Sequence, residues 1–331
     1  MIGSARLELV CPAGTPAAFR AAVDAGADSV YCGFRDETNA RNFPGLNFSR
    51  EEMAAAARYA HSRHARIFVA INTFPRAGAL GLWRQAIDDA ASLGADAVIL
   101  ADLGLLAYAA ERHSALRRHL SVQAAAANAD AIRFYVETFG VKRVVLPRVL
   151  TVTEIAQINA EIPCESEVFA FGGLCVMAEG RCSLSSYATG KSPNMHGVCS
   201  PASHVEYREE GDELISQLGE FVIDRVPKGV PAPYPTLCKG HFSAGGYRGH
   251  VFEDPVSLSA VDILPQLAKA GVTALKIEGR QRSRSYIREV VQNFRRAVNA
   301  EAEDMPIAAS ALTRLSEGQA TTAGAYRKTW R

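Results

Sequence analysis

Along the first 170 residues, short β-branched apolar runs alternate with Ala-rich stretches of helical period. LELVC (7–11) precedes a helix from Pro16 to about Ala25, and SVYC (29–32) follows at once. Ser49 and Glu52 form a capping-box pattern that opens a helix to about Ser62. RIFVAI (66–71) leads to a helix over 80–93, and AVILA (97–101) to one over 103–112. HLSVQ (119–123) leads to a helix over 129–139, and RVVLP (143–147) to one opened by Thr151 and Glu154. EVFAF (167–171) is a seventh run and TALKIE (273–278) an eighth, before a last helix from about Ser285 to Ala300. A junction repeats four times: AGADSV (25–30), LGADAV (93–98), FGVKRV (139–144) and AGVTAL (270–275). In each, a Gly stands where a helix must stop, and β-forming residues start a few positions on. This order predicts a (β/α)8 TIM-like barrel. The rival, an open doubly wound sheet, often carries a glycine-rich nucleotide loop after its first strand, and CPAG (11–14) is no such loop.

One stretch breaks the rhythm. Almost ninety residues separate the seventh run from the eighth run's preceding helix, expected from about Ser259. A plain βα connection needs far fewer. The expected organisation is therefore barrel strands 1–7 over residues 1–171 and a Cys-rich inserted subdomain over 172–258. Barrel strand 8 and the last helix take 259–304, and a tail takes 305–331. Within the insertion, FVIDRV (221–226) reads as a strand and PKGVPAPYP (227–235) as turns. Because it leaves from the C-terminal end of a barrel strand, where such folds carry their active sites, the insertion should roof the site. The weakly periodic tail is expected to dock or to pair with a partner.

Composition narrows the function classes. The 331 residues are 48% apolar and 21% charged, with a net charge of +1. That suits a soluble globular chain and gives no strong nucleic-acid signal. The opening MIGSARLELVCPAG has no apolar core of a signal peptide, and no run of eighteen apolar residues is present, so no membrane span is expected. A cytoplasmic location with reduced thiols follows, in which seven cysteines are not a disulfide framework. Cys11, Cys32 and Cys164 lie in or beside strands and read as core. Cys175, Cys182, Cys199 and Cys238 are different. Their spacing is C-x6-C-x16-C-x38-C, and Gly172, Gly173, Gly180, Gly190 and Gly197 crowd the first three. Four thiols in such a segment point to a metal site. The short C-x2–4-C knuckles of structural zinc are missing, which leaves an iron–sulfur cluster slightly ahead of zinc.

EVFAFGGLCVMAEGRCSLS (167–185) resembles the signature of the U32 family, historically described as peptidases. The matching positions are Glu167, Phe169, Gly172, Cys175, Gly180, Cys182 and the Leu184-Ser185 pair, with a departure at Gly173, where another small residue is usual. DETNARNFPGLNF (36–48), VVLPRVL (144–150), SPNMHGVCSPA (192–202), YPTLCKG (234–240), KIEGRQRS (276–283) and TTAGAYRKTW (321–330) extend the resemblance over nearly the whole chain. They are similar to U32 members of the oxygen-independent ubiquinone pathway. The resemblance implies that Cys175, Cys182, Cys199 and Cys238 ligate a [4Fe–4S] cluster. It also implies a heterodimer with a second U32 protein, UbiV-like. The pair would hydroxylate the ring of a ubiquinone precursor without dioxygen, with prephenate as the oxygen source.

Residues just past the strands are the candidates for binding substrate. Arg148 follows the sixth run; Lys276, Glu278, Arg280 and Arg282 follow or end the eighth, and Glu167 opens the seventh. Lys276, Arg280 and Arg282 could hold a dicarboxylate. The competing expectation is an ion-pair network of these cations with Glu278 and Glu167. Asn72, Gln123, Arg35 and Arg41 are weaker candidates. Neither H-E-x-x-H nor G-x-S-x-G occurs, and His61 and His64 sit in a charged, solvated stretch, so proteolysis ranks last. The expected function is an iron–sulfur hydroxylase subunit. RNA hydroxylation, as in other U32 proteins, is the alternative, and a metal-clipped non-catalytic scaffold comes third.

Overall fold

Five of the barrel helices start at a side chain that caps them. Thr15, Asp102 and Asn128 accept from a backbone N–H in the first turn, and Ser49 and Thr151 do so within full capping boxes. Each cap satisfies a donor that the helix cannot satisfy itself and fixes where the preceding loop turns. The computed structural model describes residues 7–230, 232–299, 305–316 and 320–327. The first six residues and the closing 328–330 of the tail motif lie outside them.

Strands β1 (Glu8–Pro12), β2 (Ser29–Cys32), β3 (Arg66–Ile71), β4 (Ala97–Leu100), β5 (Arg117–Leu120), β6 (Arg143–Val145) and β7 (Glu165–Gly173) pair in parallel, each with the next. Helices α1 (Pro16–Asp24), α2 (Arg50–Ser62), α3 (Leu80–Ser92), α4 (Leu103–Arg112), α5 (Ala129–Phe139) and α6 (Val152–Glu161) connect them. After β7 come α7 (Leu184–Thr189), α8 (Pro193–His196) and an antiparallel sheet of β8 (Val205–Glu210), β9 (Glu213–Leu218) and β10 (Phe221–Pro227). A hairpin of β11 (His241–Ala244) and β12 (Tyr247–His250) follows, then β13 (Ser257–Ser259) and α9 (Leu264–Lys269). The eighth barrel strand is β14 (Ala274–Ile277), followed by α10 (Arg284–Asn299), α11 (Met305–Leu315) and β15 (Thr321–Thr322). β14 pairs in parallel with both β1 and β7, through Glu8↔Ala274 and Ala274↔Glu167, so the sheet closes. The fold is a (β/α)8 barrel. Gly26, Gly94, Gly140 and Gly271, at the four repeated junctions, all hold a positive φ.

Strand alternation sorts the core into two parts. In β3, Ile67, Val69 and Ile71 point outward to the helices, whereas Phe68 and Ala70 face the barrel axis with Val10, Tyr31 and Ile99. The axis also carries charge. Arg143, 2% exposed at its side chain, pairs with Glu8, Glu165 and Glu167. His119 packs edge-on against Phe68 there, and burial beside Arg143 and Arg117 holds its imidazole well below the usual range.

Three expectations need correction. The fifth strand ends at Leu120 rather than at residue 123, because the Ser121 hydroxyl accepts from the Gln123 N–H and starts a tight turn. The sixth strand ends at Val145 rather than at residue 147, although the Leu146 N–H still reaches the Glu167 carbonyl. Ser259, where a helix was expected to begin, instead ends β13, antiparallel to β7; the helix starts at Leu264, just before Pro265. The tail docks on the chain's own barrel. β15 pairs with β13, and the Tyr326 hydroxyl donates to the Phe169 carbonyl at 2.6 Å. Among the described residues no helix is long and apolar enough to cross a membrane.

Candidate functional site

The segment after β7 folds back over the C-terminal ends of the strands. Two glycines permit the contact. A Cβ at Gly197 would stand 1.4 Å from the Ala40 carbonyl oxygen, and one at Gly180 would stand 2.0 Å from that of Gln123. The backbone of the roof thus rests directly on the loops after β2 and β5, which no larger residue allows. Beneath it lies a cavity of about 160 Å³.

All four candidate cysteines line that cavity: Cys175 just past β7, Cys182 before α7, Cys199 after α8, and Cys238 before β11. Hydrogen bonds stitch their segments together. Asn194 Nδ2 donates to the Cys182 carbonyl at 3.0 Å, and the Ser185 hydroxyl donates to that of Cys199. The Tyr234 hydroxyl donates to the Ser200 carbonyl at 3.0 Å and the Ser200 hydroxyl to that of Pro235, tying the Cys199 segment to the Cys238 segment. Burial pushes the Cys175 thiol up to about 12 and the Cys238 thiol to about 11, and raises Cys199 as well. Cys199 is the outermost: the residue as a whole is exposed, but protein crowds its thiol. Charge couples the set, with Cys199 acting on both Cys175 and Cys238, and Cys182 on both Cys199 and Cys238. Among the described residues, no three His, Cys, Asp or Glu side chains converge on one point as a single metal ion requires. Cys11 and Cys32 are buried in the barrel wall, as expected of core thiols, and Cys164 is half-buried at the start of β7.

Of the charged candidates, Arg148, Lys276, Glu278 and Arg280 line the same cavity, whereas Glu167 is buried beside Lys276 and Arg282 is exposed near Tyr286; mostly they meet each other. Arg148 lies 4.0 Å over the Phe169 ring and donates to Glu179 Oε1 at 2.6 Å and to Glu278 Oε2 at 2.7 Å. Its Nη1 also donates to the Gly173 carbonyl, which ties barrel to roof. Glu278 accepts in turn from Arg41 Nη2 at 2.8 Å. Burial would raise the Glu278 carboxyl, but Arg148 and Arg41 outweigh it and hold the group at about 2. Lys276 Nζ sits 3.9 Å over the Tyr31 ring and donates to Glu167 Oε1 at 2.6 Å. For Arg148, Lys276, Glu278 and Glu167, the ion-pair network is therefore what the structure contains. Arg280 is apart: its Nη2 donates to Asn39 Oδ1 and Asn47 Oδ1, each at 2.5 Å, and among the described residues it pairs with no carboxylate.

Among the weaker candidates, Arg41 lines the cavity, whereas Arg35 pairs with Glu52 at the surface. Asn72 accepts from the Ala40 N–H at 3.1 Å, and Gln123 faces the cavity with its Oε1 buried and, among the described residues, without a partner. His61 pairs with Asp96 on the flank. Glu179 was not anticipated from the pattern. It is buried, its carboxyl is raised by that burial, and its Oε2 has no partner among the described residues. The available signal was its place inside C-x6-C, where a carboxylate cannot be remote from the thiols.

A profile of Peptidase family U32 matches residues 14–326. The chain belongs to the U32 family. It is 33% identical over 329 residues to tRNA hydroxylation protein P of Escherichia coli (strain K12), covering 93% of this chain and 71% of that protein. The E. coli 23S rRNA 5-hydroxycytidine synthase is 29% identical, over 92% of this U32 chain and 41% of that protein. A solved U32 peptidase structure covers 50% of this chain and 69% of its own at 16% identity, with a TM-score of 0.41.

Proposed function

We propose that this U32 chain is a hydroxylase subunit that holds a [4Fe–4S] cluster on Cys175, Cys182, Cys199 and Cys238, above a barrel cavity that takes a planar ring. The observation that carries the reading is the meeting of these four thiols, far apart in sequence, on the wall of one cavity. A [4Fe–4S] cluster binds each thiolate at a different iron, so it suits thiols spread around a wall; zinc draws four sulfurs to one point at about 2.3 Å. The cluster would supply redox chemistry when bound. The chain's own part is to exclude water with the roof, to stack a ring among Tyr31, Phe169 and Ile99, and to hold fixed charge through Arg41, Arg148 and Lys276.

Two rings compete. The names of the relatives support an RNA base more directly than anything else, since both are hydroxylation proteins of RNA. The charge of this chain and the sequence segments that resemble the oxygen-independent ubiquinone pathway support the ring of a ubiquinone precursor. The roof sheet packs on α7, with a Cβ at Gly219 only 2.6 Å from the Ala188 carbonyl oxygen. Across residues 205–228 it carries seven Asp or Glu against three Lys or Arg. Such a net-negative sheet repels phosphate. We therefore place the quinone precursor first, with prephenate as oxygen donor and a UbiV-like U32 protein as partner. The test is a deletion strain grown with and without oxygen. Quinone lost only without oxygen, with RNA hydroxylation intact, is the expected result. Intact quinone with under-hydroxylated RNA reverses the order, and loss of neither removes the hydroxylase reading.

A further inference from the structure

The seventh strand changes character where it reaches the cavity. β14 pairs with it through Lys276↔Phe169 and next through Ile277↔Phe171, so Ala170 is an extra residue and makes a bulge. Residues two apart on a regular strand share a face. Here Phe169 lines the cavity, whereas the Phe171 ring packs 5.8 Å from that of Phe294 on α10. On the other side, β6 pairs with β7 as far as Glu167, and β13 takes over only at Phe171. Backbone donors meet the neighbouring carbonyls: the Leu146 N–H that of Glu167 at 2.9 Å, the Ala260 N–H that of Ala170 and the Glu278 N–H that of Phe171, both at 2.8 Å. The Phe169 carbonyl falls in the gap between β6 and β13. Its donor comes from the tail, the Tyr326 hydroxyl at 2.6 Å.

Backbone pairing leads the tail to that gap. The inserted segment leaves the barrel at Gly173 and returns at Ser257, and these two residues pair. β15 lies on the other edge of β13, with Ser257↔Thr321 and Leu258↔Thr322, and the Ser257 N–H donates to the Ala320 carbonyl at 3.1 Å. Ala308 and Leu312 of α11 are buried in the main core, and so is Tyr326. Burial holds the Tyr326 phenol well above its usual range, so it keeps the proton it donates, and Arg148 and Glu179 are the charges that act on it. Arg148 also covers the Phe169 ring at 4.0 Å and donates to the Gly173 carbonyl, two residues before Cys175.

We infer that the tail completes the site and that Tyr326 is a positioning residue: its hydroxyl fixes the bulged end of β7, and so sets the Phe169 wall of the cavity and the approach of the chain to Cys175. A bulge gives up ladder hydrogen bonds to re-aim a side chain. The carbonyl it leaves over must be met, because a buried one without a donor is costly. Phenylalanine at 326 would fill nearly the same space and leave that carbonyl unmet. The strap is a property of the chain itself; its consequence for a cluster rests on the proposal of one at Cys175.

Tyr326→Phe tests this beside a matched control. Asn159→Ala also removes one side-chain donor from a backbone carbonyl, that of Ala270 at 2.8 Å, but at the opposite end of the barrel. Amide exchange of the metal-free, reduced full chains is read by mass spectrometry. In Tyr326→Phe, peptides spanning 168–175 and 257–260 should exchange about fivefold faster, and those of β3 should not. In the loaded protein, iron should pass to a chelator about fivefold faster as well. Asn159→Ala should move neither rate, although its urea midpoint falls by a similar amount. The inference is overturned if Tyr326→Phe leaves either rate unchanged, if exchange quickens equally over the whole barrel, or if Asn159→Ala quickens both as much. A wild-type protein that holds no iron ends the cluster proposal instead, and exchange at 168–175 then decides the role of Tyr326 alone.

Discussion

Glu278→Gln tests the network that joins roof to barrel. The carboxylate accepts from Arg148 at 2.7 Å and from Arg41 at 2.8 Å, and its side chain is 21% exposed. Two routes give the cost of neutralising it. Its pKa falls from an ordinary 4.5 to about 2, which by linkage is about 3 kcal/mol of stability at neutral pH. Breaking a buried pair from one side costs about 3–5 kcal/mol. The lower figure is the better expectation, because water reaches part of the group. The sign follows from the direction of the shift. The folded pKa lies below the unfolded one, so the stabilisation is complete above about 4.5 and fades as pH falls towards 2. Urea unfolding of wild type and variant, both stripped of metal and reduced, should differ by about 3 kcal/mol at pH 7 and by about 2 at pH 3.5. A gap under about 1 kcal/mol at pH 7, or one that does not shrink on acidification, refutes the assignment of Glu278 as the ionised bridge.

Other variants test separate parts of the structure. Anaerobically purified wild type should carry close to four irons and four sulfides per chain with a visible charge-transfer band, and Cys182→Ala should lose both; one zinc and no sulfide would end the cluster proposal. Gly197→Ala places a Cβ against the Ala40 carbonyl at a φ of +62°, so iron content should drop while far-ultraviolet circular dichroism still reports the barrel. Tyr326→Phe removes the hydroxyl that donates to the Phe169 carbonyl, and should cost about 1 kcal/mol in urea unfolding and speed proteolysis of the tail.

The barrel is legible in the sequence because local signals carry it. Helix caps at Thr15, Ser49, Asp102, Asn128 and Thr151 and the four stop glycines each act within one turn of chain. The strand ends are less legible where a side chain ends the strand early, as Ser121 does by turning the chain after Leu120. The thiol quartet is visible from residue type and glycine content, but not the way its segments are tied. Ser185 to Cys199 and Tyr234 to Ser200 are contacts across the roof that no spacing reveals.

Charge pairing is the least legible property, and the reason lies in strand geometry. Lys276, Glu278 and Arg280 stand two residues apart and read as one cluster. The structure sends them to three places. Lys276 turns into the barrel and meets Glu167; Glu278 rises to the roof between Arg41 and Arg148; Arg280 drops onto the loop after β2. A sequence counts three charges there and expects them to answer one another. Only the fold reveals that Glu278 is spoken for twice, by cations 237 and 130 residues away, and that Arg280 is consequently left, among the described residues, without a carboxylate. Alternation along β14 sets the first separation, and the bend at Gly279, with φ +151°, sets the second, because past it the chain no longer follows the strand. The surplus charge of the cavity is therefore a product of topology, and a substitution at Gly279 should disturb it without altering a single charged residue.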